Sequence, residues 1–399
     1  MSSTSARSVL ISGASIAGPA LAFWLRQAGF SVTVVEKAPQ LRAGGYPIDI
    51  RGTAIDAVRR MGILPRLRDL HISTRRLTFL DVDGSEVASL DPNVVIRGAD
   101  GEDLEIRRGD LIHALYDLVR DDADVRFGDT VETLMQHEDG VDVTFRSGRR
   151  ETYDLVFGAD GLHSNTRGLV LGDEAQFHHY LGYSFAGFTL PNDFGLVREG
   201  VTWTTPGKGA ALYAVLGSEV VHGFLVFTRP EPPIEAFRNP EAQRDLVART
   251  FAGDGWEIPG MVEAMREADD LFFDVVSQIH LPRWSSGRVA LVGDAAYAPS
   301  FLTGQGTSLA LVGAYALGHA LATIPDHEAA FAAYENRVRD FVERNQAMVG
   351  EGQATLFPAT AEALEARNAA LRQLSLAPAS APRPEHSALT LPDFPVRVG

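Results

Sequence analysis

A chain of 399 residues, 45% of them apolar, is longer than one typical domain and has the apolar mass for a large core. Its net charge of −16 argues against nucleic acid and anionic membrane surfaces as main partners, because both need a basic face. The chain has no cysteine, which excludes disulfides, thiolate metal sites and a cysteine nucleophile, and which fits a cytoplasmic protein.

The first apolar run, Val9 to Ile11, predicts a buried strand. A turn with Gly13 and Gly18 follows, then Leu21, Trp24 and Leu25 at helical spacing, closed by Gly29. A second strand, Ser31 to Val35, ends on Glu36. This order is that of a dinucleotide-binding unit: strand, glycine turn, helix, strand and an acid at the second strand's tip. Gly13 permits the tight turn, and Gly18 lets the helix pack close to the sheet. The middle position of the three-glycine pattern is Ser15, the next smallest choice. A strand–helix–strand unit that binds nothing has the same outline. The opening residues also resemble a secretory signal, but Ser12, Gly13, Ser15 and Gly18 interrupt the apolar run and fit the turn instead.

Further along, a Gly- and Pro-rich loop holds Arg42, Asp49 and Arg51, and a helix is predicted over about Thr53 to Met61. Asp83-Gly84 and Asp139-Gly140 each sit between strand-like runs and predict two hairpins. Residues 91–104 read as a polar loop, and Gly109 to Arg120 as a helix. Leu155–Gly158 is a buried strand that leads into Asp160-Gly161. From about Phe177 to Leu281 short strands with aromatics predict a second, mostly antiparallel sheet, with a helical piece at Pro240–Phe251. Val289–Gly293 returns to the parallel-sheet style and delivers Asp294 to a strand's carboxyl end, where such sheets bind ligands. Gly304 and Gly306 then make a close loop, and a helix starts near Thr307 with its positive end toward that loop. The apolar stretch 309–324 is too short to span a membrane comfortably and reads as a core helix. Residues 328–348 and 359–374 read as amphipathic helices, and the last 25 or so as an irregular or partly disordered tail.

Three stretches together resemble a known family. They are the opening unit, Asp154–Arg167 with its Asp160-Gly161, and Arg288–Leu311 with Gly293-Asp294 and Gly304-Gln305-Gly306. Their order and spacing resemble the class A flavoprotein aromatic hydroxylases, the para-hydroxybenzoate hydroxylase fold, from about Ser8 to Arg344. The style is similar to that of the tetracycline- and polyketide-modifying members, through Arg42, Gly44-Gly45, Asp49, and Ile106-Arg107-Arg108 with Leu111.

The resemblance implies an α/β fold: a Rossmann-like FAD-binding domain, a mostly antiparallel substrate-domain sheet and C-terminal helices. FAD-binding parts would fall at 1–74, 100–176 and 284–325, substrate-sheet parts at 75–99 and 177–283, C-terminal helices at 326–375 and a tail at 376–399. Gly13, Ser15 and Gly18, with Ile16 and Ala17 between them, would cradle the FAD pyrophosphate. Glu36, beside Lys37, would hold the adenosine ribose, and Arg108 would contact FAD. Gly293 and Asp294 would meet the ribityl or pyrophosphate part, and Pro299, Gly304, Gly306 and Thr307 the isoalloxazine ring. Asp160 would serve both FAD and NAD(P)H, and Arg42 and Asp49 the nicotinamide cofactor and the flavin. The family often has His after Gly-Asp-Ala-Ala; here it is Tyr297, whose role stays open.

The implied activity is hydroxylation of an aromatic or polyketide-like small molecule with O₂, through a flavin C4a-hydroperoxide. NADPH or NADH would be a transient co-substrate, because the chain has no second dinucleotide fingerprint. Rivals are a flavin reductase on the same fold and a non-catalytic flavoprotein that sequesters a small molecule. No G-W-x-W-x-I-P stretch supports a halogenase. No catalytic acid or base is assigned, and no metal: His178 and His179 are adjacent on a predicted strand and point apart. Tyr213, Phe224 and Phe227 read as core packing ahead of pocket lining.

Overall fold

The structure, a computed structural model, describes residues 6–41, 45–99, 101–214, 219–237, 239–376 and 381–395. Arg42 lies outside them. The chain opens with β1 (Ser8–Ser12), α1 (Ala17–Gln27) and β2 (Ser31–Glu36). β1 and β2 are parallel, with Val9 opposite Val32 and Ile11 opposite Val34. β1 is buried on both faces, so it reads as a continuous apolar run without alternation.

β3 (Pro47–Ile50), α2 (Thr53–Arg60) and α3 (Leu64–Asp69) follow. β4 (Arg76–Leu80) and β5 (Glu86–Leu90) form the hairpin predicted at Asp83-Gly84. The polar loop expected at 91–104 instead contains α4 (Pro92–Ile96). Asp91 caps it by accepting from the Asn93 N–H, and Pro92 stands at the first helical position, a start signal that a reading for polarity overlooks. Next come β6 (Leu104–Arg107), α5 (Arg108–Asp117), β7 (Asp124–Phe127), β8 (Val131–His137), β9 (Gly140–Phe145), β10 (Arg150–Tyr153), β11 (Leu155–Gly158) and α6 (Asn165–Leu171).

The aromatic-rich stretch gives β12 (His178–Pro191), β13 (Glu199–Thr205), β14 (Lys208–Ala214) and β15 (Val220–Thr228), then α7 (Pro240–Thr250), α8 (Ile258–Glu267) and β16 (Phe272–Ile279). The chain returns through β17 (Ser285–Ser286), β18 (Val289–Leu291) and α9 (Asp294–Tyr297). It closes on α10 (Gly306–Thr323), α11 (His327–Ala347), α12 (Val349–Leu356) and α13 (Ala361–Leu374).

A six-stranded sheet has the order β17-β18-β11-β1-β2-β7 and is parallel except at β17–β18. Its order places the carboxyl ends of β1, β11 and β18 side by side. A seven-stranded sheet has the order β16-β12-β15-β14-β13-β4-β5 and is antiparallel except at β13–β4. β3 and β6 pair in a ribbon of their own, and β8, β9 and β10 in a third sheet. One face of the seven-stranded sheet, with Trp203, Leu212, Leu225 and Phe227, packs on Val247 and Phe251 and on Ile258, Met261 and Met265 of α8. Phe227 is therefore core. The opposite face carries Tyr213 and Phe224, the latter edge-on to Tyr46 at 5.8 Å between centroids.

α10 is buried over most of its length, as expected for a core helix. No helix among the described residues is long and apolar enough to cross a membrane. The tail differs from expectation. Residues 381–395 have little regular structure but are packed, with His386 and Leu391 buried. Thr53 Oγ1 donates to the Leu389 carbonyl at 2.6 Å. Arg60 and Tyr315 both donate to the Pro392 carbonyl, at 2.6 and 2.5 Å. The Phe394 ring lies 4.8 Å from Trp24. Pro, Ala and Ser dominate the composition of the tail and hide the few apolar anchors that pin it.

Candidate active site

The turn after β1 is built by close backbone approach. Gly13 has φ +109°, and a Cβ there would stand 2.4 Å from the Ala159 carbonyl oxygen. A Cβ on Gly18 would stand 1.8 Å from the Gly13 carbonyl oxygen. Ile16 and Ala17 are buried in the same turn, and among the described residues no side chain caps the start of α1. Its first N–H groups are left for a ligand. Glu36 reaches back to this turn: one carboxylate oxygen accepts from Ala14 N–H and the other from Ala38 N–H, each at 2.9 Å. Lys37 beside it is exposed. Arg108, first residue of α5, donates to Ser15 Oγ at 3.0 Å, so two residues from separate motifs meet.

Asp160 sits at the end of β11, but its carboxylate is engaged within its own loop. It accepts from Ser164 Oγ at 2.5 Å, from the Thr166 N–H and hydroxyl at 2.9 Å each, and from Ser12 Oγ at 3.5 Å. Arg167, fully buried, ties this loop to the next by donating to the Ala295 carbonyl at 3.1 Å; it also pairs with Glu174. His163 of the same loop bonds Glu174 at 2.7 Å and Asp274 of β16 at 3.1 Å. Those two carboxylates, Asp274 first, hold its imidazolium up to about 9. His178 stacks near His163 while His179 contacts His280, on opposite sides of β12.

Asp294 follows β18. It is exposed while Gly293 and Ala295–Pro299 are buried, so its carboxylate lines a recess rather than the outer surface. The low-dielectric surroundings push its carboxyl up, Arg108 opposes the shift, and Asp274 adds to it. Ser300, past Pro299, holds φ +75° and ψ 149°, a region otherwise almost confined to glycine. Gly304 adopts the left-handed conformation, and a Cβ on it would stand 3.3 Å from Asp49 Oδ2. Gln305 is fully buried, and neither polar atom of its side chain has a partner among the described residues. No described side chain caps α10, whose first turn holds Gly306, Thr307 and Ser308. Tyr297 points the other way, into the core, where its hydroxyl accepts from Tyr334 at 3.1 Å.

The β3–β6 ribbon stands between this loop and the seven-stranded sheet. Arg51 pairs with Asp49 at 2.6 Å and with Asp103 at 3.4 Å, and its N–H donates to Ser308 Oγ at 3.0 Å. Burial works against the Arg51 charge, but Asp49 and Asp103 outweigh it and raise its pKa. Glu105 lies directly across the ribbon from Asp49. It accepts from Thr74 Oγ1 at 2.5 Å and from the Tyr213 hydroxyl. Burial first, and Asp49 second, push the Glu105 carboxyl up; burial and Glu105 raise Tyr213. Glu105 and Thr74 were not singled out in the sequence. Buried Leu104 and Ile106 flank Glu105, and that alternation was the available signal for the face it takes.

These features fit FAD. The Gly13–Gly18 turn leaves no room for side chains, two helix starts present uncapped amides, Gln305 is an orphaned buried amide, and Asp294 is a carboxylate facing a recess. The comparisons with known proteins agree. The sequence model of a family described as "FAD binding domain" matches residues 6–348. A flavin-dependent monooxygenase from an unknown prokaryotic organism is 38% identical over 367 residues, spanning 91% of this chain and 94% of that protein. The crystal structure of the tetracycline destructase Tet(55) superposes with TM-score 0.83 at 36% identity, covering 98% of this chain and 99% of that one. HpxO from Klebsiella pneumoniae, solved with FAD and uric acid, gives TM-score 0.73 at 25% identity over 92% of this chain and 93% of that one. With its glycine turn, its Asp294 recess and a match over most of its length, the chain belongs to the FAD binding domain family, among the class A FAD monooxygenases.

Proposed function

We propose that this protein is a cytoplasmic FAD monooxygenase that draws electrons from NADPH or NADH and places one atom of O₂ on an aromatic or polyketide-like small molecule. One observation carries the reading. The loop at Gly304 meets Asp49, Asp49 pairs across the ribbon with Glu105, and Glu105 bonds Tyr213 on the sheet. The proposed cofactor site would thus end against a wall of mixed aromatic and polar side chains. Likeness to a tetracycline destructase and to a protein solved with uric acid supports a planar, oxygen-bearing ring system as substrate.

Bound FAD would supply the passage of electrons from the nicotinamide cofactor to O₂ and the oxygen transfer expected from the resemblance. The chain supplies binding and shelter. Gly13, Ser15, Ile16, Ala17 and Gly18 would hold the pyrophosphate, Glu36 with Lys37 the ribose, and Gly293 and Asp294 the hydroxyls between. Arg108 would add positive charge beside Ser15. Pro299, Gly304, Gly306 and Thr307 would lie along the ring, with the positive end of α10 toward it. Asp160 would act by shaping its loop, and Asp49 by joining that loop to the ribbon. Arg42, beyond the described residues, keeps the nicotinamide-contacting role that the resemblance implies. The first sheet with its helices would be the FAD-binding part, and the seven-stranded sheet the substrate part that excludes water.

The test is NADPH oxidation by the FAD-loaded protein with a panel of phenols, enols and polyketides under isotopically labelled O₂. The expected result is slow oxidation alone, faster oxidation with a substrate, and one labelled oxygen in the product. A ligand reduced without oxygen would establish the reductase instead. Binding with neither reaction would establish sequestration.

A further inference from the structure

We infer that Arg51 is a positioning residue for electron uptake: it holds Asp49 beside the cofactor loop as an ion pair, and so raises the reduction potential of bound FAD. The inference rests on the FAD monooxygenase reading above and adds a residue to it.

Asp49 and Arg51 are two apart at the end of β3, the spacing that puts both side chains on one face of an extended chain. The guanidinium then forks. Nη2 lies 2.6 Å from Asp49 Oδ1, and Nη1 donates to Asp103 Oδ2 at 3.4 Å. Asp103 is itself fixed by backbone, accepting from the Gly52 N–H at 3.0 Å and the Ala99 N–H at 2.9 Å. One arm of the fork is thus anchored, and the other orients Asp49. With Oδ1 taken by Arg51, Oδ2 is the oxygen that stands 3.3 Å from where a Cβ on Gly304 would be. The Arg51 N–H reaches the same loop by donating to Ser308 Oγ, fully buried in the first turn of α10, at 3.0 Å. Close packing keeps water from the fork. A Cβ on Gly98 would stand 2.8 Å from Arg51 Nη1, and one on Gly52 2.1 Å from the His386 carbonyl oxygen. The Arg51 and Asp103 side chains are each 6% exposed and Asp49 23%, so their charges are poorly screened.

Charge decides what the pair does. Asp49, Asp103 and Glu105 surround Arg51, and among the described residues no other basic side chain pairs with any of the three. Burial opposes the Arg51 charge, but Asp49 and Asp103 more than offset it, so the guanidinium stays cationic. Tethering the segment before β6 to β3 would need Asp103 alone, yet the shorter contact of the fork goes to the carboxylate that ends on the cofactor loop. Near neutral pH, reduction gives FAD two electrons and one proton, and so one added negative charge. A bare carboxylate in a poorly screened site opposes that charge, and an ion-paired one opposes it far less. Arg51 thereby favours the reduced cofactor without touching it, which eases electron uptake from NADPH or NADH.

The test is the midpoint potential of the FAD-loaded protein, read by stepwise anaerobic reduction with dithionite beside a reference dye, with no substrate present. Arg51→Gln should weaken binding of reduced relative to oxidised FAD about ten- to a hundredfold, a fall in midpoint of roughly 30 to 60 mV for this two-electron couple. Asp49→Asn in that background should reverse the fall. In the wild-type background it should change the ratio by less than about tenfold, because Arg51 already neutralises the carboxylate. Should Arg51→Gln fail to fold, Arg51→Lys carries the test. Lysine keeps the charge but cannot fork between two carboxylates, so a smaller fall of the same sign is expected. A wild-type midpoint in a folded Arg51→Gln or Arg51→Lys protein overturns the inference. So does a fall that Asp49→Asn leaves in place, which would mark general damage to the fold. The readout needs no turnover, so absence of oxygen incorporation with any compound is the separate failure of the monooxygenase reading.

Discussion

At the carboxyl edge of β1, β11 and β18 the candidate cofactor site is made of backbone, whereas the face of the seven-stranded sheet that carries Tyr213 presents side chains. In the first region helix and strand approach so closely that Gly13 and Gly18 have carbonyl oxygens where a methyl group would go. In the second, neighbouring strands offer Tyr213 and Phe224 from a frame whose other face is ordinary apolar core. A backbone site tolerates almost no change, and its ligand is set by geometry. A side-chain site can be rewritten without disturbing the frame, so the first region is expected to fix the cofactor and the second to vary with the substrate.

The largest effect should come from Gly18→Ala. The added methyl would meet the Gly13 carbonyl oxygen at 1.8 Å, so the turn must open. The variant should lose FAD and about 3 kcal/mol or more of stability, read by flavin absorbance and urea unfolding. Wild-type FAD content in this variant would break the comparison outright.

Asp294→Asn should separate binding from folding. FAD affinity should fall about ten- to more than a hundredfold, as expected for a lost charge-assisted bond of roughly 1.5–3 kcal/mol. The apoprotein should be no less stable. The folded carboxyl is raised above its unfolded value, so the wild type loses stability as pH rises through that interval, and Asn removes the loss. Apoprotein melting on both sides of the interval checks the sign. A destabilised apoprotein at neutral pH would mean that Asp294 serves the frame.

The smallest effect concerns the seam between the regions. His163 joins the loop after β11 to Asp274 of β16. Its folded pKa, about 9, lies above the ordinary imidazole value. Its stabilisation is therefore complete at pH below the unfolded value and is lost as pH rises through about 9. With 44% of the side chain exposed, solvent screening keeps the contribution to about 1 kcal/mol or less. The melting gap between wild type and His163→Gln should be widest in mild acid and close above pH 9. A gap that does not change with pH would assign the residue to packing alone.

How much could be read in advance follows the same division. Gly13, Gly18 and the Gly304 loop were legible because only glycine suits those backbone positions, and Asp294 because a buried strand delivers it. The Arg108–Ser15 bond was half legible: both residues belong to motifs, but their meeting needs the fold. For Asp160 the resemblance implies a role toward FAD and NAD(P)H, and the fold adds that its carboxylate accepts from Ser12, Ser164 and Thr166, of which Ser12 is distant in sequence. Glu105 was missed because its partners lie 31 and 108 residues away, at Thr74 and Tyr213. α8 falls in the stretch expected to be mostly strands, and its Pro259 stands in a first helical turn, where proline is at home. β16 went unread because its second half is buried and lacks alternation.

The packed segment 381–395 has a consequence for the order in which the molecule is made. Trp24, Arg60 and Tyr315 wait for Phe394 and the Pro392 carbonyl, which leave the ribosome long after them. His386 closes over Gly52, where a Cβ would stand 2.1 Å from the His386 carbonyl oxygen, right beside Arg51. The helices around the glycine turn are thus left with an uncovered side until that segment has been synthesised. Sealing of the cofactor-side core therefore waits for a segment that lies 336 residues from Thr53 and 77 from Tyr315.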